Sequence, residues 1–163
     1  MFDLRPAGYV IGLLLMVLGL TMVIPMGLDW LDGASNWTSF ALSAFITVLI
    51  GSVVCLSCQN TIKVNLNIQQ TFFLTTSVWL VLPIFGAIPF MIGETDARFT
   101  DAFFEAMSGF TTTGSTVFAS LDTLPRGLLL WRGLMQWFGD WSCYCSNGIF
   151  TGFTCWWYAN LSY

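Results

Sequence analysis

The chain has 163 residues, of which 56% are hydrophobic and only 9% charged, with no histidine and a mean hydropathy of +0.74. A soluble domain would be charged at roughly a quarter of its positions, so this composition belongs in a bilayer and excludes an ordinary water-soluble fold. Nine acids stand against five bases for a net charge of −4, and the absence of a basic cluster excludes a nucleic-acid partner.

The first apolar run, from about Ala7 to Leu28, carries no charge and is long enough to cross a hydrocarbon core of about 30 Å. It closes on Ile24-Pro25-Met26-Gly27 rather than on a small-residue cleavage site, so it reads as an uncleaved anchor. Asp29, Trp30, Asp32, Gly33 and Asn36 then predict a short polar turn. A second run, about Trp37 to Ser57, returns across the membrane. The polar stretch from Cys58 to Asn67 contains Lys63, and a third run from about Thr71 to Ile92 contains Pro83 and Pro89. Membrane helices tolerate proline where neighbours satisfy the freed backbone groups. Arg5 and Lys63 fall on one side, and Asp29, Asp32, Glu94 and Asp96 on the other, which places the amino terminus and the second loop in the cytoplasm.

After the third run the chain is expected outside at Gly93. Thr100 is placed to cap a helix with Asp101 in its first turn and a body from Ala102 to Phe110. About eleven residues cannot span a bilayer, so the segment fits a re-entrant helix that goes half-way in and returns as extended backbone. Its carboxyl end would then direct partial negative charge to the membrane centre. The returning backbone would be Thr111-Thr112-Thr113-Gly114-Ser115-Thr116. Six such residues can be a plain Thr/Ser/Gly loop. They can equally be one strand of a cation filter, in which successive carbonyls replace a hydration shell, Gly114 takes a positive φ and small neighbours let backbones approach the axis. A last apolar stretch begins near Leu124-Pro125 and carries Trp131, Arg132, Gln136 and Trp137. Arg132 either pairs with Glu105 or Asp101 or reaches along its stem to the interface.

Other groups have simpler readings. Cys55 and Cys58 have the spacing of a redox or metal pair, yet without histidine and at the end of a membrane helix they read as small packing residues. Asp101 and Glu105 serve the dipole of the short helix better than they serve as acid and base. No catalytic residue is assigned and the chain is not read as an enzyme. Trp30, Trp37, Trp131 and Trp137 are expected at headgroup level, Phe103, Phe104 and Phe110 between the short helix and its neighbours, and Gly12, Gly19 and Gly86 at close helix contacts.

The order of a spanning helix, Asp101 to Phe110, Thr111 to Thr116 and then Leu130-Trp131-Arg132-Gly133-Leu134-Met135-Gln136-Trp137-Phe138-Gly139 resembles the Trk/Ktr/HKT superfamily of potassium transporters, most closely the bacterial Trk-type membrane subunit. The likeness runs from about residue 1 to Gly139. It implies an all-α integral membrane fold in which two leading transmembrane helices precede one helix, pore helix, filter and helix unit, the first of four such repeats around one pore. It divides the chain into residues 1–67 (leading helices and cytoplasmic loop), 68–139 (first pore repeat) and 140–163 (a tail that departs from the family).

The resemblance further implies that carbonyls of Thr112, Thr113, Gly114 and Ser115 face the ion, flanked by Thr111 and Thr116, with Gly114 as the key glycine that favours K⁺ over Na⁺. It implies potassium uptake across the bacterial cytoplasmic (inner) membrane by a multi-pass protein, coupled to Na⁺ or H⁺. No cofactor is expected and no metal beyond the transported K⁺. The implied partners are membrane lipid, a second copy forming a homodimer, and a cytoplasmic nucleotide-binding regulatory subunit. Two alternatives are a homotetrameric potassium channel subunit, against which Ser115-Thr116 stand in place of Tyr-Gly, and a non-conducting membrane fragment.

The tail Asp140 to Tyr163 holds three of the five cysteines and three of the eight tryptophans. Both residues have codons beginning TG, which points to a shifted reading frame. Reading from the second codon base of Asp140 permits an apolar helix followed by a basic glycine-containing turn, its three glycines forced by Trp141, Trp156 and Trp157. The expectation is a truncated, frameshifted amino-terminal part of a longer transporter, inactive alone.

Overall fold

A computed structural model describes residues 5–59, 68–118 and 124–139. Lys63, which bears on orientation, and the tail 140–163, on which the expectation of a shifted frame rests, lie outside the described residues. Every regular element among the described residues is a helix: α1 Arg5–Thr21, α2 Val23–Leu31, α3 Trp37–Ser57, α4 Ile68–Ile92, α5 Phe99–Phe110, and α6 over residues 126–139. Three segments are long and apolar enough to cross a membrane: Arg5–Leu31, Trp37–Ser57 and Gln70–Ile92. The fold is thus the expected all-α membrane architecture.

The first span is broken at Met22. Pro25 has no N–H for the carbonyl of Thr21, and the Thr21 hydroxyl donates back to the carbonyl of Leu18 at 2.8 Å, so the ladder loosens there. The span then runs on through Leu31, which places Asp29 and Trp30 inside α2 rather than in the polar turn. The second span matches its expected limits. The short helix begins one residue before Thr100, with Arg98 in extended conformation (φ −61°, ψ 151°) at the N-cap position and no side-chain cap, so Thr100 lies in the first turn.

α1 lies along α3 with backbones in near contact. A Cβ added at Gly12 would sit 2.8 Å from the amide of Cys55 and the carbonyl of Gly51, and one at Gly19 would sit 3.1 Å from the amide of Val48. This bears out close helix packing at Gly12 and Gly19. Gly86 is likewise tight, 3.0 Å from Phe110 and 3.2 Å from Met135 by the same measure. One core joins the leading helices to the later ones, running through Leu18, Met22, Phe40, Ala87, Phe90, Ala106, Phe110, Leu128, Trp131 and Met135.

Trp131 corrects an expectation. It is fully buried rather than at the interface, set edge-on against Phe40 with its indole N–H donating to the carbonyl of Gly86 at 3.0 Å. A buried indole needs an acceptor, and α4 supplies one. Phe104 also departs from expectation: it lies on the outer face of α5 and is exposed, whereas Phe110 is in the core.

Candidate functional site

α5 has twelve residues and ends at Thr111 (φ −83°, ψ 1°), after which Thr112 and Gly114 adopt φ of +55° and +72°. At Gly114 conformation, not space, demands glycine, since an added Cβ would meet nothing closer than Gln136 Nε2 at 3.9 Å. Thr112 accepts the left-handed region at a steric cost, which places two reversals within three residues.

These reversals fold the strand back onto the end of its own helix. The amides of Thr111, Thr112 and Thr113 donate to the carbonyls of Met107 (2.8 Å), Gly109 (3.0 Å) and Ser108 (3.1 Å). The Thr111 hydroxyl also donates to the carbonyl of Met107 at 2.8 Å and lies 2.8 Å from that of Thr113. Of the last four carbonyls of α5, those of Met107, Ser108 and Gly109 are therefore met by amides of the segment that follows. Among the described residues no donor meets the carbonyls of Thr112, Thr113 or Gly114, and Thr111 through Val117 are all exposed.

Further out, the strand is tied to the flank of α5. The Ser108 hydroxyl donates to the carbonyl of Ser115 at 2.6 Å. Glu105 Oε2 accepts from the Thr116 hydroxyl at 3.2 Å and from the Val117 amide at 3.1 Å. Glu105 and Ser108 are three residues apart, hence on one face of the helix, and both are buried. The other oxygen of Glu105 takes no hydrogen bond, yet lies 2.6 Å from Nε of Arg132 on α6, close enough to pair charges. Arg132 thus pairs with Glu105, one of the expected options. Glu105 sits in the middle of α5, so the dipole argument fits Asp101 alone.

α6 closes the back of the strand. A Cβ at Gly139 would overlap the carbonyl oxygen of Phe110 and lie 3.1 Å from Thr112 Cγ2. Its other end is held by a residue that sequence reasoning left in a turn. Asp29, wholly buried, accepts from the Gly127 amide at 2.7 Å and from Asn36 Nδ2 at 3.2 Å, a carboxylate on the first turn of a helix. Asn36 Oδ1 in turn accepts from the Glu94 amide at 3.2 Å. Asp29 is the first acid after a long apolar run; that signal was present but does not distinguish a solvated end from a buried cap. Ser108 had only its spacing from Glu105 to mark it. Among the described residues no group of histidine, cysteine and carboxylate side chains could hold a metal ion.

Residues 37–145 match the TrkH family model, described as cation transport protein. The Trk system potassium uptake protein TrkH of Halomonas elongata is 38% identical over 138 residues, covering 84% of this chain and 28% of that protein. TrkH of Escherichia coli is 38% identical over 133 residues, 80% of this chain and 27% of that one. The crystal structure of the potassium transporter TrkH from Vibrio parahaemolyticus superposes with a TM-score of 0.79 at 32% identity, covering 85% of this chain and 30% of that chain. The chain therefore spans under a third of the length of the relatives it matches. With a family model matched across most of its length and three apolar spans in the expected order, it is a multi-pass protein of the bacterial inner membrane, and it belongs to the TrkH family of cation transport proteins.

Proposed function

We propose that this chain supplies one of four filter strands in a potassium uptake protein, with the carbonyls of Thr112, Thr113 and Gly114, and that of Ser115 although it already accepts from the Ser108 hydroxyl, lining the ion path between Thr111 and Thr116. The observation that carries this reading is the strand itself: exposed, twice reversed at Thr112 and Gly114, the amides of Thr111 to Thr113 committed to α5 and, among the described residues, the carbonyls at 112–114 left without donors. A dehydrated monovalent cation is stabilised by such uncommitted backbone oxygens. Non-helical backbone at membrane depth is tolerated where it lines a wet path. Transport of this kind needs no covalent chemistry, and the family is one of transporters.

In this reading residues 1–67 are the leading helices and their loop, residues 68–139 the first pore repeat and residues 140–163 a tail that departs from it. One strand cannot surround an ion, so three further strands complete the pore. The whole protein works as a homodimer with a cytoplasmic nucleotide-binding subunit and couples K⁺ to Na⁺ or H⁺.

The test is growth at low external K⁺ in a bacterium without its own uptake systems, comparing the 163-residue chain with a complete transporter of the length of its relatives that carries this repeat. Rescue by the complete version alone is the expected result. Rescue by the short chain would replace this reading with four copies around one pore, and rescue by neither would remove potassium uptake as the function. In the complete protein Gly114→Ser weakens the preference for K⁺ over Na⁺; an unchanged preference would withdraw the filter assignment.

A further inference from the structure

The strand is fastened to α5 along its whole length, but by unlike means. Its inner end is held by backbone amides on helix carbonyls and its middle by the Ser108 hydroxyl. Only its outer end is held by a charge: Glu105, whose side chain is fully buried, receives the Thr116 hydroxyl and the Val117 amide on one oxygen and faces Arg132 with the other. The Thr116 hydroxyl also accepts from the Phe118 amide at 3.1 Å, so the grip extends three residues along the backbone. Burying a carboxylate is costly unless a partner and hydrogen bonds offset it, and here both are present. Packing alone does not require a charge at this position, since α5 could turn an apolar side chain to the same core.

We propose that Glu105 is a positioning residue for ion selection, resting on the filter reading above: its carboxylate, oriented by Arg132, fixes where the strand leaves the pore helix at Thr116–Val117. That anchor sets the spacing of the free carbonyls at residues 112–114. Charge-assisted bonds are about twice as strong as neutral ones, which makes this the stiffest of the side-chain ties on the strand. A filter whose outer end is loose can contract around a smaller ion, so the property at stake is the ratio of K⁺ to Na⁺ transport.

The experiment is rubidium uptake with sodium as competitor, in proteoliposomes holding equal amounts of the complete transporter that carries this repeat. Glu105→Gln retains size and removes the charge, and is expected to lower the K⁺/Na⁺ preference on the order of tenfold, in keeping with the loss of a hydrogen bond to a charged group. Arg132→Gln should act in the same direction. The double variant should lose less than the sum of the two, because the second change removes the charge that the first left unpaired. A purely structural role would lower the amount of folded protein and leave the ratio alone.

Where the buried variants fail to fold, Thr116→Val removes only the exposed hydroxyl and must still shift the ratio in the same direction. Gly114→Ser is run in parallel. If it shifts the ratio while Glu105→Gln, or Thr116→Val in its place, does not, the anchor is overturned and the filter stands. If neither shifts it, the filter reading itself falls and the anchor with it.

Discussion

The pair α1 and α3 and the surroundings of the Thr111–Thr116 segment solve the same problem by different means. α1 and α3 hold together by shape: Gly12 lies against Gly51 and Cys55, Gly19 against Ala44 and Val48, and the helices approach until a methyl group would collide. Around the Thr111–Thr116 segment close fits at Gly86 and Gly139 are joined by polar ties: Glu105 with Arg132 and Thr116, Ser108 with Ser115, Trp131 with Gly86, and Asp29 of α2 with Gly127 of α6. Lipid tails are as apolar as leucine, so helices gain little from apolar contact as such and need either close backbones or hydrogen bonds. A pair of regular helices has its backbone groups already satisfied and can rely on fit. A strand that must leave carbonyls uncommitted has no ladder of its own, and its amides and ends have to be pinned by neighbours.

That contrast can be broken from either side. The largest effect is expected at Gly12→Leu, where the added side chain meets the amide of Cys55 and the carbonyl of Gly51 rather than a movable side chain. A loss of about 3 kcal/mol in unfolding of the detergent-purified protein is expected, and a loss within error would show that fit is not what holds the leading pair. Asp29→Ala tests the polar side. It leaves the Gly127 amide and Asn36 Nδ2 without their buried acceptor and should cost about 2 kcal/mol. Hydrogen exchange should show the loosening first at the start of α6.

Trp131→Phe keeps the ring in the core and removes one neutral hydrogen bond, for which about 1 kcal/mol is expected in the same unfolding measurement. Least should come from Arg126→Ala. Its pairing with Asp32 at 3.8 Å joins side chains that are 79% and 39% exposed, and no more than about 0.5 kcal/mol should be lost, less still in high salt. A cost there as large as at Asp29 would mean that burial does not separate the two kinds of polar contact.

Much of this was legible in the residues. The second span matched its expected limits, the short helix ended at the expected Phe110, and Gly114 has the positive φ that its position called for. The pair of Glu105 and Arg132 was one of the options left open. What could not be read was the direction in which side chains point. Trp131 and Trp137 lie six residues apart on α6, yet the first is fully buried and the second is 67% exposed. Phe104 and Phe110, on one helix, part in the same way. In a soluble helix an apolar stripe marks the inward face, but aromatic residues stand on both the buried and the exposed faces of α5 and α6, so hydropathy alone does not tell an inward ring from an outward one.

By itself the sequence determined the solvent, the order of the spans and the limits of the second, the half-length helix and the glycine behind it. Those follow from length, hydropathy and backbone sterics, which are local quantities. Only the tertiary structure decided that Asp29 leaves its turn to cap α6, that Glu105 and Ser108 grip the outer strand, and that Gly139 lets α6 close against Phe110. Each of these joins residues far apart in the chain or on opposite sides of a reversal. A buried polar group must find its partner wherever the packed helices bring one, and no local pattern records where that is.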